Sequence, residues 1–375
     1  MNAERIVRNL AAEIGITIDG SCPWDVQVHD DRFYRCVLTG GSLGLGESYM
    51  KAWWDCEDLI ELHSRIAESD AEEKTNRSWR ARLKSWQAHL INLQSPQRAP
   101  IVARRHYDVT VDHYRNMTDG WVTLSCGYWK DADTLAQAQD AKLDLICRKL
   151  GLHRNHRVLD IGCGFGSFSR FAALRYGCSV TAINISAQQV QAARALCQGL
   201  PVTIHHCDYR DIPRLLQVNG HYDRVVSVEM FEHVGPRNHR TYMEIAHRSL
   251  ADGGLFLLQT AGANVASYEN DHWFDKYVFP NAVVPSVHQI GDAIAGLFVL
   301  EDWHNFGLDY VRTFSAWFEQ FDRTWTTSRD DEFYRMWKYY LLAGAGGFKA
   351  RRRQLWQLLL SKGGIKDHAA TRHPR

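Results

Sequence analysis

The sequence predicts an α/β protein in which a parallel, doubly wound sheet follows a small N-terminal α+β domain. Short β-branched runs alternate with helical stretches from about residue 106 onward, the pattern that crossover helices produce between parallel strands. A glycine-rich loop follows the first well-defined run. The chain has 375 residues, of which 45% are hydrophobic and 23% charged, so its length and composition suit two or three globular domains.

Charge and cysteine usage exclude several classes of protein. Lys and Arg number 44 against 43 Asp and Glu, which excludes a uniformly basic nucleic-acid-binding protein, and no nucleic-acid partner is expected. The nine cysteines are odd in number and none has C-x-x-C spacing, which favours reduced cytosolic thiols over disulfides or a metal site. No signal peptide is expected at the N-terminus, and no apolar stretch reaches the ~20 residues that span a bilayer.

Residues 1–73 are interpreted as a small N-terminal unit. The glycine-dense stretch Gly40–Gly46 predicts a turn, and the run from Glu47 to Leu62 predicts a helix. Residues 74–105 are then interpreted as a helical linker, because apolar side chains recur there every three or four positions, at Trp79, Leu83, Trp86, Leu90 and Leu93.

Positive charge is concentrated in this linker and near the C-terminus. Residues 74–105 contain eight Lys or Arg and no acid, and residues 349–375 contain eight against one acid, Asp367. A basic amphipathic helix with Trp and Leu can lie on a membrane surface, or it can pack on its own protein and leave its basic face solvated. The linker sequence by itself leaves both interpretations open.

Residues 106–375 are predicted to form the larger domain. Its first strand, Arg157–Ile161, leads through the glycine loop into a helix over 168–176. A second strand over 179–183 is followed by a helix over 187–197. Three more strands are predicted over 201–205, 224–228 and 255–258. Sheets of this kind bind ligands at the carboxyl ends of their strands.

The loop after the first strand carries the strongest chemical signal. Asp160 is followed by three alternating glycines, Gly162, Gly164 and Gly166, and then by a helix whose first N–H groups are available to a ligand. The order D-x-G-x-G-x-G differs from the G-x-G-x-x-G of dinucleotide sites. It resembles the first motif of S-adenosylmethionine (SAM) methyltransferases, and the resemblance implies a Rossmann-like class I methyltransferase domain in which this loop wraps the cofactor.

Further cofactor contacts are expected at the ends of the next strands. The second strand is followed by amide and hydroxyl groups where an acid normally holds the ribose, and these groups can make the same hydrogen bonds. Asp208 and Tyr209 occupy the adenine position after the third strand. The expected additional cofactor residues are Ser125, Asn184, Ser186, Gln188, Gln189, Asp208 and Tyr209.

Six longer segments carry a narrower resemblance. The chain is similar over nearly its full length to the bacterial cyclopropane-fatty-acyl-phospholipid synthases. This resemblance implies methylene transfer from SAM to the cis double bond of a phospholipid acyl chain. The segments are Gly41–Met50, Ser125–Ala132, Val158–Gly166, Met230–Pro236, Lys276–Asn281 and Glu301–Gly307.

The implied reaction needs a base and a site that tolerates a cation. The alkene takes the methyl group of SAM, and loss of a proton from the new methyl closes the ring. The resemblance implies a bound bicarbonate as the base, with Glu232 accepting its hydroxyl proton, Tyr310 donating to its oxygens and Cys126 contributing a backbone N–H. The full implied bicarbonate set is Cys126, Glu232, Gln259, Ala261 and Tyr310.

Aromatic rings could stabilise the cation or could simply pack the core. The candidates are the rings of Tyr128–Trp129 and of the segment 272–277.

The sequence also departs from the family pattern. Gln259 stands where the family usually has a His, Ala261 replaces a larger apolar residue, and Val111 replaces an Asn near the His106-Tyr107-Asp108 motif. Gln259 can donate and accept hydrogen bonds but cannot titrate. These departures bear on the rate or on the choice of substrate.

The resemblance also implies partners and a location. The expected partners are the phospholipid membrane surface and a second copy of the chain, with residues 1–73 docking lipid or forming the dimer contact. The expected location is the cytoplasm, at the inner face of the cytoplasmic membrane. Two alternatives stay open: a SAM methyltransferase for another acceptor, such as an alkene that gains a methyl branch or a small amine, and a lipid-binding homologue with weakened turnover.

Overall fold

The computed structural model describes residues 3–69, 111–329 and 331–366. The predicted linker helix, the His106-Tyr107-Asp108 motif and the end of the second basic segment lie outside the described residues. The described chain divides into two compact units. The first contains 3–69, 269–280 and 310–353, and the second contains 111–268, 281–309 and 354–366.

The first unit combines helices with a two-stranded antiparallel ribbon of β1 (Gln27–Val28) and β2 (Trp54–Asp55). It is built from the N-terminal residues together with two later segments of the chain. Its helices are Ala3–Glu13, Arg32–Met50, Leu59–Glu68, His272–Tyr277, Asp309–Thr324 and Glu332–Lys349.

Two expectations for the N-terminal residues were wrong. The predicted helix from Glu47 to Leu62 is two helices separated by β2, because Trp54 is fully buried and pairs with Val28. The predicted turn over Gly40–Gly46 lies within the helix Arg32–Met50, which breaks at Gly41 (φ 56°). A Cβ on Gly44 would lie 2.1 Å from the Cys36 carbonyl oxygen. Glycine at this position therefore lets the helical segments before and after the break pack closely together.

Later residues hold the N-terminal residues in place. Arg335 is 5% exposed and donates hydrogen bonds to the carbonyl oxygen of Trp54 and to Asp55 Oδ1, both at 2.8 Å. In the second basic segment, Lys349 pairs with Glu61 at 2.7 Å, and Arg352 donates to carbonyl oxygens at the end of the helix Leu59–Glu68. Residues 3–69 therefore pack as part of a larger unit. The predicted role of residues 1–73 in lipid docking or dimerisation stays a prediction.

The second unit is built on a seven-stranded sheet in the order β5-β4-β3-β6-β7-β9-β8. Strands β3 to β7 pair in parallel, which confirms the five predicted strands, whereas the antiparallel pair β8 and β9 was not predicted. The strands are β3 (Arg157–Ile161), β4 (Ser179–Asn184), β5 (Val202–His206), β6 (Tyr222–Val228), β7 (Leu250–Ala263), β8 (Val299–Asn305) and β9 (Arg353–Ser361).

Helices cover this sheet because its central strands are apolar toward both faces. Leu159 and Ile161 pack with Met243 in one core cluster, whereas Val158 packs with Phe168 and the rest of a second cluster. Parallel strands that are buried on both faces have this near-continuous apolar pattern. The helices of the second unit are Val111–Met117, Leu135–Lys149, Ser167–Tyr176, Ala187–Leu196, Ile212–Asn219, His239–Ser249 and Val287–Ile294.

The strand order reverses between β3 and β6, so the carboxyl ends of these strands form the crevice where such sheets bind ligands. Within the described ranges, no helix is both long and apolar enough to cross a membrane. All nine cysteines are free thiols.

Candidate active site

The glycine loop after β3 leaves space for a ligand on one side. Gly162, Gly164 and Gly166 all have positive φ angles, of 86°, 55° and 80°. A Cβ on Gly162 would lie 2.6 Å from Met230 Cγ, whereas a Cβ on Gly164 would meet no protein atom within 4 Å. The loop is therefore packed against the end of β6 at Gly162 and open at Gly164, as a loop that cradles a cofactor must be.

The residues after β4 hold this loop. Asn184 Nδ2 donates to the Gly164 carbonyl oxygen at 3.1 Å and to Gln189 Oε1 at 2.8 Å. Ser186 caps the next helix by accepting from the Gln189 N–H at 3.4 Å. Gln188 is exposed. Contacts of these four residues with ribose stay a prediction, since three of the side chains already serve the loop and the helix cap.

Asp160 is a buried carboxyl group behind the loop. It is 2% exposed and accepts a hydrogen bond from Ser169 Oγ at 2.6 Å, which ties β3 to the helix that follows the loop. Burial raises the pKa of Asp160 to about 7. A positively charged ligand group nearby would favour its ionised form.

The predicted adenine position after β5 contains one half-buried and one buried polar group. Asp208 forms an ion pair with Arg210 at 2.9 Å and also caps the short helix Tyr209–Asp211. Tyr209 is buried, and its hydroxyl has no hydrogen-bond partner within the described part of the chain. Burial raises the pKa of Tyr209 to about 12, so its hydroxyl stays protonated and can donate to a ligand.

Ser125 belongs to a buried polar cluster that includes a residue the sequence analysis missed. Lys142 Nζ donates to Ser125 Oγ at 2.8 Å, and Gln139 Nε2 donates to the Ser125 carbonyl oxygen at 2.7 Å. Burial lowers the pKa of Lys142 to about 8, against the attraction of Glu229 and Asp119. No sequence signal separates this lysine from the exposed basic residues of a helix.

Glu232 lies in a short helical turn after β6 and is 7% exposed. One of its carboxyl oxygens, Oε1, accepts a hydrogen bond from the Ala261 N–H, and Oε2 has no hydrogen-bond partner among the residues described. Burial and the neighbouring Glu229 raise the pKa of Glu232 to about 8. Glu232 therefore carries a proton at neutral pH.

Glu229 joins two of the predicted site residues. Its Oε1 accepts the Cys126 backbone N–H at 3.1 Å and Gln259 Nε2 at 2.8 Å. Gln357 Nε2 in turn donates to Gln259 Oε1 at 2.8 Å. The sequence analysis missed Glu229, although an acidic residue directly after an apolar strand at the ligand-binding edge was a usable signal.

Three other predicted residues pack against aromatic rings of their own unit, and their roles in the reaction stay predictions. Tyr310 belongs to the first unit, where its ring stacks on Phe314 and Phe348 with centroid distances of 4.7 and 4.4 Å. Trp273 is fully buried against Gly46 and Tyr339, and Tyr128 packs edge-on against Phe306, so both rings fill a core. No cluster of metal-binding side chains occurs within 3–69, 111–329 and 331–366.

Comparison with known proteins identifies the family. A model of the mycolic acid cyclopropane synthetase family matches residues 94–358. The chain belongs to this family. It is 46% identical over 365 residues to the cyclopropane-fatty-acyl-phospholipid synthase of Escherichia coli K12, covering 96% of this chain and 94% of that protein.

Two further relatives extend the comparison. The chain is 30% identical to the tuberculostearic acid methyltransferase UfaA1 of Mycobacterium tuberculosis, covering 89% of this chain and 82% of that protein. Among solved structures, the cyclopropane synthase MmaA2 of M. tuberculosis matches with a TM-score of 0.64 and 26% identity, covering 72% of this chain and all of that one. The predicted methyltransferase fold, family and class of enzyme are thereby confirmed.

One implied feature of the family does not fit the residues present. The resemblance assigned the Cys126 N–H and the Gln259 side chain to a bound bicarbonate, but both donors end on the Glu229 carboxylate. Gln259, which replaces the usual His of the family, therefore contacts an acidic side chain, that of Glu229. The second departure, Val111, begins the helix Val111–Met117, and nothing in the structure explains it.

Proposed function

We propose that this protein is a SAM-dependent cyclopropane-fatty-acyl-phospholipid synthase, which adds a methylene group across the cis double bond of an unsaturated acyl chain. The observation that carries the proposal is the pair of carboxyl groups, Glu229 and Glu232, on either side of Met230, whose side chain contacts the glycine loop. Ring closure requires a base near the methyl donor, whereas simple methyl transfer to an amine can proceed without a buried carboxylate pair.

The glycine loop supports the choice of SAM as cofactor. The open side of Gly164 fits a ligand that approaches the backbone closely, and Asp160, Asp208 and Tyr209 supply a carboxyl group or a hydroxyl at the strand ends. SAM supplies an electrophilic methyl group when it is bound. The chain's own residues hold the loop and provide the carboxyl groups for the proton transfer.

The resemblance also implied bicarbonate as the base. The N–H groups of Cys126 and Gln259 would have to leave Glu229 to bind it. The carboxylates already present are therefore the better candidates for the proton transfer. The role of Tyr310 as a donor to the bicarbonate stays a prediction from the family resemblance.

A second candidate is methyl branching of an unsaturated acyl chain. It is favoured by the similarity to the tuberculostearic acid methyltransferase, at 30% identity. Without a reductant, branching must also lose a proton and leaves a carbon–carbon double bond, so the identity of the product, and not the carboxylate pair, distinguishes the two candidates. A lipid-binding homologue without turnover would bind SAM and release no product.

The acyl chain of the substrate lies in a bilayer, so the enzyme must reach a membrane surface. We propose peripheral binding at the inner face of the cytoplasmic membrane and assembly as a homodimer. The linker 74–105, with eight basic residues and no acid, supports surface attraction to anionic lipid.

Incubation of the purified protein with SAM and cis-unsaturated phospholipid vesicles tests the proposed function. The fatty acids are then analysed by mass spectrometry, and the upfield protons of the cyclopropane ring are sought by NMR. Release of S-adenosylhomocysteine together with a ring-containing product supports the synthase. Release with an unsaturated product that carries a methyl or methylene branch supports the second candidate. SAM binding without release supports the lipid-binding homologue.

A further inference from the structure

We infer that the carboxylate of Glu229 is the base for ring closure in this chain and fills the position of a bound bicarbonate. This inference rests on the proposed function. Three kinds of observation support it: the hydrogen bonds that Glu229 accepts, its backbone conformation and the charges around it.

The hydrogen bonds form a directed network that ends on Glu229. Gln259 and Gln357 are both fully buried, and Gln357 donates to Gln259 Oε1. This fixes the Gln259 amide so that its Nε2 points to Glu229 Oε1, the same oxygen that accepts the Cys126 N–H. Two donors converging on one oxygen make an anion site, and a side chain of this protein occupies it.

The backbone at Glu229 is in an unusual conformation for its residue type. Its φ angle is 53°, in the left-handed region that favours glycine. The Glu229 N–H donates to the Gln259 carbonyl oxygen at 2.7 Å, so the contacts with β7 hold both the main chain and the side chain. Strain of this kind persists where the surrounding structure fixes a residue for its chemistry.

The negative charge around Glu229 disfavours binding of another anion. Glu232 is buried nearby and interacts repulsively with Glu229, and Lys142 is a buried group attracted to Glu229. A bicarbonate would add a negative charge to this group of carboxyls, and like charges in a buried site disfavour one another. Glu229 accepts two N–H hydrogen bonds on one oxygen, the arrangement of an anion-binding site, so it is the carboxyl group placed to act as the base.

The proton transfer balances without any further reactant. After methyl transfer, one C–H bond of the new methyl group breaks. Its electron pair forms the second carbon–carbon bond of the ring at the electron-deficient carbon. The proton goes to the Glu229 carboxylate and is later released to solvent.

The experiment compares full-length wild-type protein with two variants in CO2-free buffer, with and without added bicarbonate. We expect wild-type turnover to change by less than a factor of about two on addition of bicarbonate. Glu229→Gln should lose at least ~100-fold in turnover, within the range of removing a general base, while it still binds S-adenosylhomocysteine by calorimetry. Glu244→Gln, which removes a carboxylate from a surface ion pair with Arg240, is the matched control and should keep full activity.

Glu229→Gly provides an independent readout. Glycine suits the backbone at φ 53°, and its introduction frees the Cys126 and Gln259 donors. Added bicarbonate or formate should therefore bind these donors and raise the turnover of Glu229→Gly at least ~10-fold. The same additions should leave the turnover of Glu244→Gln unchanged.

The outcomes distinguish failure of the inference about Glu229 from failure of the proposed function. A wild-type enzyme that makes cyclopropane product only with added bicarbonate, or a fully active Glu229→Gln, overturns this inference and leaves the proposed function standing. If Glu229→Gln fails to fold, the absence of rescue in a folded Glu229→Gly overturns it instead. A wild-type enzyme that makes no cyclopropane product in either buffer overturns the proposed function, and the inference with it.

Discussion

The side-chain amide of Asn184 donates a hydrogen bond to the carbonyl oxygen of Gly164 at 3.1 Å. The Gly162 and Cys163 N–H groups also donate to the Ile183 carbonyl oxygen, both at 3.0 Å. The end of β4 therefore holds the glycine loop in shape through protein contacts alone. A loop organised in this way loses little conformational entropy when a ligand binds.

Substitution of Gly164 should abolish binding of SAM. In Gly164→Val the branched side chain would fill the open side of the loop, and the backbone at φ 55° also disfavours valine. We expect at least ~100-fold weaker binding of S-adenosylhomocysteine by calorimetry, or about 2.7 kcal/mol. Gly199→Val is the matched control, because Gly199 also has a positive φ and open space around its Cβ position. Equal affinity in the Gly164 variant and wild type would remove the loop from the binding site.

Glu232→Gln should lower turnover and leave SAM binding intact. Glu232 and Glu229 interact electrostatically, so protonation of one eases ionisation of the other, and a glutamine cannot take part. We expect at least ~10-fold lower turnover in product assays, the low end of acid-base effects. Full activity of the variant would exclude Glu232 from the reaction.

The same variant tests the protonation of Glu232 in the folded protein. The pKa of Glu232 is raised from 4.5 to about 8 in the folded protein. Between pH 4.5 and pH 8, the folded state therefore keeps the Glu232 proton, whereas the unfolded state has lost it. The contribution of Glu232 to the free energy of unfolding therefore falls as the pH rises from about 4.5 towards 8. Wild type should lose stability over this range relative to Glu232→Gln in denaturant titrations, and parallel curves would contradict the raised pKa.

Much of the larger domain could be predicted from the sequence, because β-branched runs, helices and a glycine loop alternate there with clear local signals. The antiparallel strands β8 and β9 were missed, since their residues lie far apart in the sequence and pair only through tertiary contacts. The helix over Glu47–Leu62 failed for a related reason: burial of Trp54 and its pairing with Val28 override local helical preference.

The candidate site was predicted only in part. The residue types at the strand ends indicated a cofactor site, but the bond from Gln259 to Glu229 is a property of the folded sheet. Sequence reasoning treated the departure at Gln259 by itself and therefore missed its partner. Lys142 was missed because its burial depends on how the helix Leu135–Lys149 packs.

Membrane binding should be peripheral and sensitive to salt. Each basic residue near an anionic leaflet contributes about 1 kcal/mol, so a few charges from the linker can supply reversible binding. We expect co-sedimentation with anionic vesicles at low salt, little with zwitterionic vesicles, and a clear loss when four linker residues are replaced by Gln, namely Arg77, Arg80, Arg82 and Lys84.

The control for membrane binding removes the same charge from exposed positions elsewhere, by replacing Arg35, Arg154, Arg214 and Arg248 with Gln. Equal binding by the linker variant and wild type would exclude the linker. Loss of binding only on replacing Arg351, Arg352 and Arg353 would move the docking surface to that segment. Because Arg352 is hydrogen-bonded within the first unit, the stability of that variant must be measured in parallel.

The central claim is that a methyl group is transferred to an acyl chain and then loses one proton to close a ring. Mass spectrometry of the product formed from SAM with a trideuterated methyl group tests this most directly. The account predicts a ring-containing fatty acid that retains two of the three deuterium atoms, since one leaves in ring closure. A product that retains all three deuterium atoms, or deuterium found only on a methylated amine, would contradict it.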